Sequence, residues 1–345
     1  MAEACRQAGI RFGIYLSPWD RHEPSYGTDA YNPYYLNQLR ELLTNYGPVA
    51  EVWMDGAKGE NAKNMEYDFD AWRQLIRELQ PEAVIFSDAG PDVRWIGNEK
   101  GFAGETCWST LDRSKVTIGK AGQEHYLNTG DPNGPDWVPG ECDVSIRPGW
   151  FYHAAEDSRV KSLSELMDIY YQSVGRNGTL LLNIPPDRRG LLHETDVARL
   201  KAFKAVIDQT FQRNLAAGKK ITVLGAKNKG DAAQMANLLD GKPETVWSAA
   251  EDAKKATVII DLGQPATFDR ALIAEAIQYG QRITAFRVEA QVNGQWQELG
   301  KGTTIGYKRL LRFTPVTASH IRLTIEKARE TPVLSEFGLY KAAEQ

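Results

Sequence analysis

The sequence predicts an α/β protein: a (β/α)8-like, TIM-type barrel lacking its first two strands, followed by a C-terminal all-β sandwich. Three observations carry this reading. Short apolar runs alternate with helical periodicity through residue 215, and after that the helical period gives way to turn-separated, strand-like runs. One apolar run, Val49–Ala57 (V-A-E-V-W-M-D-G-A), ends in a lone carboxylate, Asp55. A strand apolar on both faces belongs in a parallel sheet covered by helices. Its carboxyl end is where barrel enzymes mount reacting groups. The competing role for Asp55 is to cap the next helix; Trp53, on the same face by strand alternation, favours a pocket.

The elements follow in order. Ala2–Ala8 reads as a helix fragment feeding a strand at Arg11–Leu16. Asn32 as N-cap and Pro33 at the first helical position open a helix that Gly47-Pro48 stops. A helix from about Asp68 to Gln80 buries Phe69, Trp72, Leu75, Ile76 and Leu79, and Pro81 closes it. Ala83–Phe86 is a further buried strand. Ala89–Gly101 reads as a long loop leading to a strand candidate at Ala103–Ser109, and Val144–Tyr152 as another strand. Ser162 and Glu165 form a capping box for a helix burying Leu163, Leu166, Met167, Tyr170 and Val174. Thr179–Ile184 is the last strand of the series, and a helix then runs through about Phe211.

That grammar supplies six strands. Closing an eight-stranded barrel takes two more, and the changed pattern after residue 215 would put them ahead of residue 1. The chain is therefore expected to be a fragment of a longer protein. Residues 1–215 are assigned to the partial barrel and 216–345 to the sandwich, whose strand-like runs include Thr257–Leu262, Leu272–Ala276, Phe286–Val292, Leu310–Phe313, Ile321–Ile325 and Leu334–Tyr340. Asp240-Gly241 and Asn293-Gly294 are turn signals between them.

Bulk properties narrow the function classes. The net charge of −4, with acids and bases interspersed, leaves no basic stripe, so no nucleic-acid partner is expected. Three cysteines and five histidines are scattered without disulfide or metal-ligand spacing, and no metal or cofactor is expected. No apolar run reaches the roughly 18 residues of a membrane span. Met1–Ala8 lacks the apolar core of a signal peptide. Nine Trp and fourteen Tyr suit a site that lays flat rings against sugars.

Hydrolysis of a glycosidic bond takes two carboxyl groups, one ionised and one protonated. Asp55 is the first candidate. Arg94-Trp95-Ile96-Gly97-Asn98-Glu99-Lys100-Gly101 supplies the second, Glu99, in a glycine-bracketed loop where a partly apolar setting would raise its pKa. The alternative is a Glu99 paired with Lys100 or Arg94 on a solvated loop.

V-W-M-D-G-A with W-I-G-N-E-K-G resembles the α-L-fucosidases of glycoside hydrolase family 29, in the subgroup acting on branched α-1,3/1,4-linked fucose. Phe12–Asp20, Ser145–Phe151 and Leu180–Asp187 match that family's pattern too, so the resemblance spans about residues 1–215. The C-terminal part is similar to a discoidin-like, carbohydrate-binding β-sandwich. The resemblance implies Asp55 as nucleophile, Glu99 as general acid/base, Trp53 and Trp19 lining a fucose pocket, Arg94 near the sugar hydroxyls and Trp150 at the rim. It implies a fucosylated oligosaccharide or glycoconjugate as substrate, and secretion or periplasmic export of the parent protein. One departure stands out: the family's sugar-binding histidines have no counterpart here. A chain that only binds glycans through its sandwich, or a barrel glycosidase for another sugar, are the alternative readings.

Other residues weigh less. Glu105 rivals Glu99 as acid, but a buried Glu bonded to backbone is the expectation there. Asp88 either orients Arg94 or forms a turn. His22 and Tyr26 are expected on a surface loop, within reach of an aglycone. Asn177-Gly178-Thr179 fits a glycosylation sequon beside a buried strand, where such a match is expected to be chance.

Overall fold

The computed structural model describes residues 1–224 and 232–343. Its residues form two compact units: Met1–Gly97, Thr110–Leu127 and Asp131–Gly140 make the first, and Asn98–Ser109, Asn128–Gly130 and Glu141–Gln345 the second.

In the first unit the parallel strands β1 (Gly13–Tyr15), β2 (Glu51–Trp53), β3 (Val84–Ser87) and β4 (Val93–Trp95) pair in chain order. Helices α1 (Ala2–Gln7), α2 (Tyr31–Asn45) and α3 (Phe69–Leu79) connect or precede them, as the periodicity requires. The core between sheet and helices is aromatic: Tyr35 stacks on the fully buried Trp72 with centroids 4.0 Å apart, among Leu39, Leu43, Val52, Ile76 and Ile85. Asp68 caps α3 through the Ala71 N–H, at 3.0 Å. Asn32 does not cap α2, whose N-cap is Ala30; its side chain instead ties together Glu66 and Asp68. The paired two-residue strands β5 (Thr110–Leu111) and β6 (Asp136–Trp137) complete the unit, and α4 (Glu124–Thr129) lies between them in sequence.

Two strand assignments are corrected. β4 lies inside the stretch expected to be loop, while Ala103–Ser109 is not a strand. The strand expected at Val144–Tyr152 is instead β7 (Gly140–Ser145), followed by turns.

In the second unit β7 and β8 (Thr179–Asn183) run parallel, with α5 (Leu163–Gln172) and α6 (Glu194–Phe211) as helices. Ser162 and Glu165 make the expected capping box on α5. The sandwich comprises β9 (Lys220–Leu224), β10 (Trp247–Ser248), β11 (Ala256–Glu275), β12 (Ile283–Val292), β13 (Gln295–Gly302), β14 (Arg309–Ala328) and β15 (Val333–Tyr340), with α7 (Ala232–Ala236) before β10. β11 and β14 each fuse two expected strands into one of 20 residues. Register irregularities near Asp261/Ala266 and Phe268/Arg270 bend the pair, so β11 meets β9 with its first half and β15 with its second. The long antiparallel β11–β14 pair packs around Phe268, Phe286, Leu323 and Phe337. The β12–β13 hairpin turns at Asn293-Gly294, both at positive φ (51° and 80°), as a two-residue primed turn demands.

Candidate active site

Strand register builds the Asp55 side. Tyr15 pairs with Trp53, and Trp53 with Phe86, so three aromatic side chains lie abreast on one face of the first unit's sheet. Trp53 and Phe86 stack at 4.0 Å with planes 8° apart, and Tyr15 tilts against Trp53 at 5.3 Å. Asp55 follows just beyond the strand end. One carboxylate oxygen accepts the Tyr15 hydroxyl at 2.8 Å, and the other accepts the Ala57 N–H at 2.8 Å. The two bonds fix its orientation. Burial and then the Asp55 charge push the Tyr15 hydroxyl far above its ordinary pKa, so it stays a donor.

Gly56 is required by what covers it. A Cβ there would lie 2.5 Å from Ile118 Cγ2 and 2.6 Å from the Gly119 N, too close for any side chain. The Gly119 N–H donates at 2.6 Å to Asp88, which follows β3 and whose carboxyl is pushed up chiefly by burial. Asp88 therefore fastens the Ile118–Gly119 segment onto the turn that follows the nucleophile candidate.

Trp19 is half-buried; the backbone at Gly59 closes on its ring, where a Cβ would sit at 2.3 Å, and Arg21 lies 5.9 Å over it. Arg94 is fully buried, and its guanidinium donates to the backbone carbonyls of Leu127, at 2.8 Å, and Val138. It thus braces the segments on either side of β6, a role the sequence did not disclose.

In the second unit Glu99 is exposed, as is Lys100, in place of the partly apolar setting expected from sequence. The loop is shaped by Asn98, whose side-chain oxygen accepts the Lys100 N–H and whose amide donates to the Phe102 carbonyl at 2.8 Å. Trp150 is 37 % exposed, and its carbonyl accepts from Asn183 at 3.1 Å. Beyond it an open groove of about 680 Å³ is lined by Tyr152, His153, Asp187, Arg188, Arg189 and His193. Beneath Tyr152 the buried Arg147 pairs with Asp157 and Asp196, each at 2.9 Å.

Several minor expectations are revised. The Glu105 side chain is 83 % exposed, 3.6 Å from Arg176, and so is not a buried structural acid. Tyr26 is buried, its hydroxyl 2.8 Å from that of Tyr67, and is not a surface loop residue. The Asn177 amide is buried and donates to the Cys107 carbonyl and the Ser109 hydroxyl, which leaves no room for a glycan. Tyr15 is the functional candidate that sequence reasoning missed, although its position in F-G-I-Y-L-S put it in register with Trp53. Among the described residues no cluster of three or more His, Cys, Asp or Glu is placed to hold a metal ion, and no helix is long and apolar enough to cross a membrane.

Comparison with known proteins bears on the whole chain. The alpha-L-fucosidase family model matches residues 1–209, and the F5/8 type C domain model matches 220–337. The chain is 50 % identical over 343 residues to a protein of Oryza sativa subsp. japonica named "Putative alpha-L-fucosidase 1", covering 99 % of this chain and 66 % of that protein. It is 47 % identical to alpha-L-fucosidase 1 of Arabidopsis thaliana, covering 99 % of this chain and 68 % of the relative. The chain thus spans about two thirds of the length of these relatives. The crystal structure of SpGH29 superposes with a TM-score of 0.93 at 42 % identity, covering 99 % of this chain and 76 % of that one. A Ruminococcus gnavus GH29 fucosidase in complex with fucose gives a TM-score of 0.90 at 38 % identity, with 99 % and 74 % coverage. The barrel-type parallel strands, the sandwich that follows and these matches have one reading: the chain belongs to the alpha-L-fucosidase family of glycoside hydrolases.

Proposed function

We propose that the protein is a retaining α-L-fucosidase that removes terminal α-1,3/1,4-linked L-fucose from glycans by double displacement, with Asp55 as nucleophile and Glu99 as general acid/base. The observation that carries the proposal is the Asp55 carboxylate, hydrogen-bonded through both oxygens to the Tyr15 hydroxyl and the Ala57 N–H, beside the Trp53–Phe86 stack.

In this reading Asp55 attacks C1 of fucose and forms a glycosyl ester while Glu99 protonates the departing oxygen. Glu99 then takes a proton from the water that releases fucose. Retention asks for carboxyl groups roughly 5–5.5 Å apart in the working enzyme. Tyr15 orients Asp55: its hydroxyl, which stays a donor, holds the carboxylate in line for attack on C1. Trp53, packed between Tyr15 and Phe86, would line the fucose pocket beside Asp55. Trp19 and Trp150 remain the candidate pocket wall and rim.

The test is release of fucose from an aryl α-L-fucoside and from a Lewis-type trisaccharide by the full-length protein, with NMR of the first-formed anomer. α-Fucose is the expected first product, and Asp55→Ala is expected to abolish release from both substrates. A β first product removes the retaining mechanism, and undiminished turnover in Asp55→Ala removes the nucleophile.

A further inference from the structure

The segment just after the Glu99 loop has a peculiar backbone. Residues 103–109 run through the second unit without pairing in any sheet, yet Ala103, Cys107, Trp108 and Ser109 are buried. Buried peptide groups need partners; the sandwich supplies several of them, beside Asn177 and the Thr129 carbonyl. The Ser109 N–H donates to Gln281 at 2.9 Å, and the Gln281 amide returns a bond to the Cys107 carbonyl at 2.9 Å. The Cys107 N–H donates to the Thr304 hydroxyl at 2.9 Å. The Thr106 and Thr303 hydroxyls meet at 2.7 Å, and Arg309 donates to the Glu105 carbonyl at 2.8 Å. Arg329 lies 5.7 Å over the Trp108 ring. Upstream, the Ala103 N–H is held by the Gln172 carbonyl at the end of α5, at 2.8 Å.

The partners are themselves fixed. Thr304 is 1 % exposed and Gln281 9 %. Glu275, at the end of β11, accepts from the N–H groups of Arg282, Ile283 and Gly306, and so clamps the turns that carry Gln281 and Thr304. The stretch from Glu105 to Ser109, which follows the Glu99 turn, thus takes much of its hold from residues about 170–200 positions later in the chain.

We propose that the β-sandwich is a positioning element for the acid/base loop, with Gln281 and Thr304 as positioning residues that hold Cys107 and Ser109 and, through them, set where Glu99 stands. This rests on the reading of Glu99 as general acid/base. It gives the sandwich a catalytic duty that needs no glycan of its own. Neither residue touches the reacting atoms. Each removes freedom from the arm on which Glu99 is mounted, and displacement of a proton donor by about 1 Å costs rate on the order of a hundredfold.

The leaving group separates this from a merely structural role. An aryl fucoside with a very acidic phenol departs without protonation, whereas an alkyl or glycan leaving group needs the acid. In the full-length protein, Gln281→Ala and Thr304→Val are expected to lower kcat/KM for the glycan by about tenfold or more, while the activated aryl fucoside changes by less than about threefold. Thr304→Ser, which keeps the hydroxyl, is expected to restore the glycan rate. Glu99→Ala is the reference, with the same selectivity in stronger form. An equal fall on both substrates in Gln281→Ala and Thr304→Val, or no fall on either, overturns the positioning role while Glu99→Ala remains selective. A Glu99→Ala variant without selectivity overturns the acid/base assignment itself, and the brace with it.

Discussion

The two candidate catalytic carboxylates are supported in opposite ways. Asp55 is held by its neighbourhood: Tyr15 from the adjacent strand, Ala57 two residues on, and Gly119 packed over Gly56, all inside the first unit. Glu99 sits on an exposed turn whose following arm is bonded to a domain that begins more than a hundred residues later. A nucleophile must be aimed at one carbon, and a short strand end with two hydrogen bonds achieves that locally. The candidate acid/base is mounted on an irregular arm with no ladder of its own, and such an arm must borrow its order from elsewhere. The two candidate carboxylates therefore depend on two structural supports that fail independently.

Perturbing each support in turn should break or sharpen that contrast. The largest effect is expected in the first unit's core. Trp72 is fully buried and stacked on Tyr35, so Trp72→Ala should cost about 3–5 kcal/mol in denaturant unfolding. A loss under about 1 kcal/mol would mean that the aromatic core does not support the Asp55 side.

Next, Tyr15→Phe removes a hydrogen bond to an ionised acceptor, worth about 1.5–3 kcal/mol. Turnover should fall by about ten- to a hundredfold on activated and natural substrates alike, because the proposed attack by Asp55 is common to both. A loss confined to natural substrates would place Tyr15 with the acid/base and dissolve the contrast.

Glu275→Gln is expected to cost about 1–3 kcal/mol, since an amide nitrogen would face a backbone N–H. Burial, outweighing the three N–H donors, pushes the Glu275 carboxyl up to about 7 from 4.5. A carboxyl with a raised folded pKa contributes stability that is full below about pH 4.5 and is lost as pH rises through about 7. Thermal unfolding followed across that window should show this slope in the native protein and its loss in the glutamine variant. Unchanged slopes would mean that the clamp is not titrating.

The smallest effect is a control. Asn293 holds φ of 51° in the β12–β13 turn, and Asn293→Ala should cost about 1 kcal/mol through backbone strain alone. It should leave both carboxylates, and hence the substrate preference, untouched. A change in leaving-group selectivity would show that any loosening of the sandwich acts on Glu99, not the Gln281 and Thr304 contacts in particular.

What the sequence disclosed follows the same division. The Val52–Gly56 strand end, the Ser162/Glu165 cap and the Asn293-Gly294 turn are short-range features, and each was legible because its determinants lie within a few residues. Ala103–Ser109 was misread as a strand because its burial comes from side chains such as Gln281 and Thr304, which no local pattern announces. Asn32 carried a good N-cap signal, but its side chain is taken by Glu66 and Asp68 across the helix pair. β4 was hidden because its three residues are too few for periodicity to register. Of the site, the carboxylates could be named from motif, whereas Tyr15 required the register of β1 against β2 and the bracing of Arg94 required the carbonyls of Leu127 and Val138.

Covalent capture tests the proposed role of the Asp55 carboxylate most directly. A fucosyl fluoride carrying fluorine at C2 slows hydrolysis of the glycosyl ester more than its formation, so the enzyme should accumulate labelled. Peptide mass spectrometry of the full-length protein treated with it should find one fucosyl adduct, on the carboxylate of Asp55, and none in Asp55→Asn. An adduct on another residue, or no adduct in a protein that turns over fucosides, would contradict it.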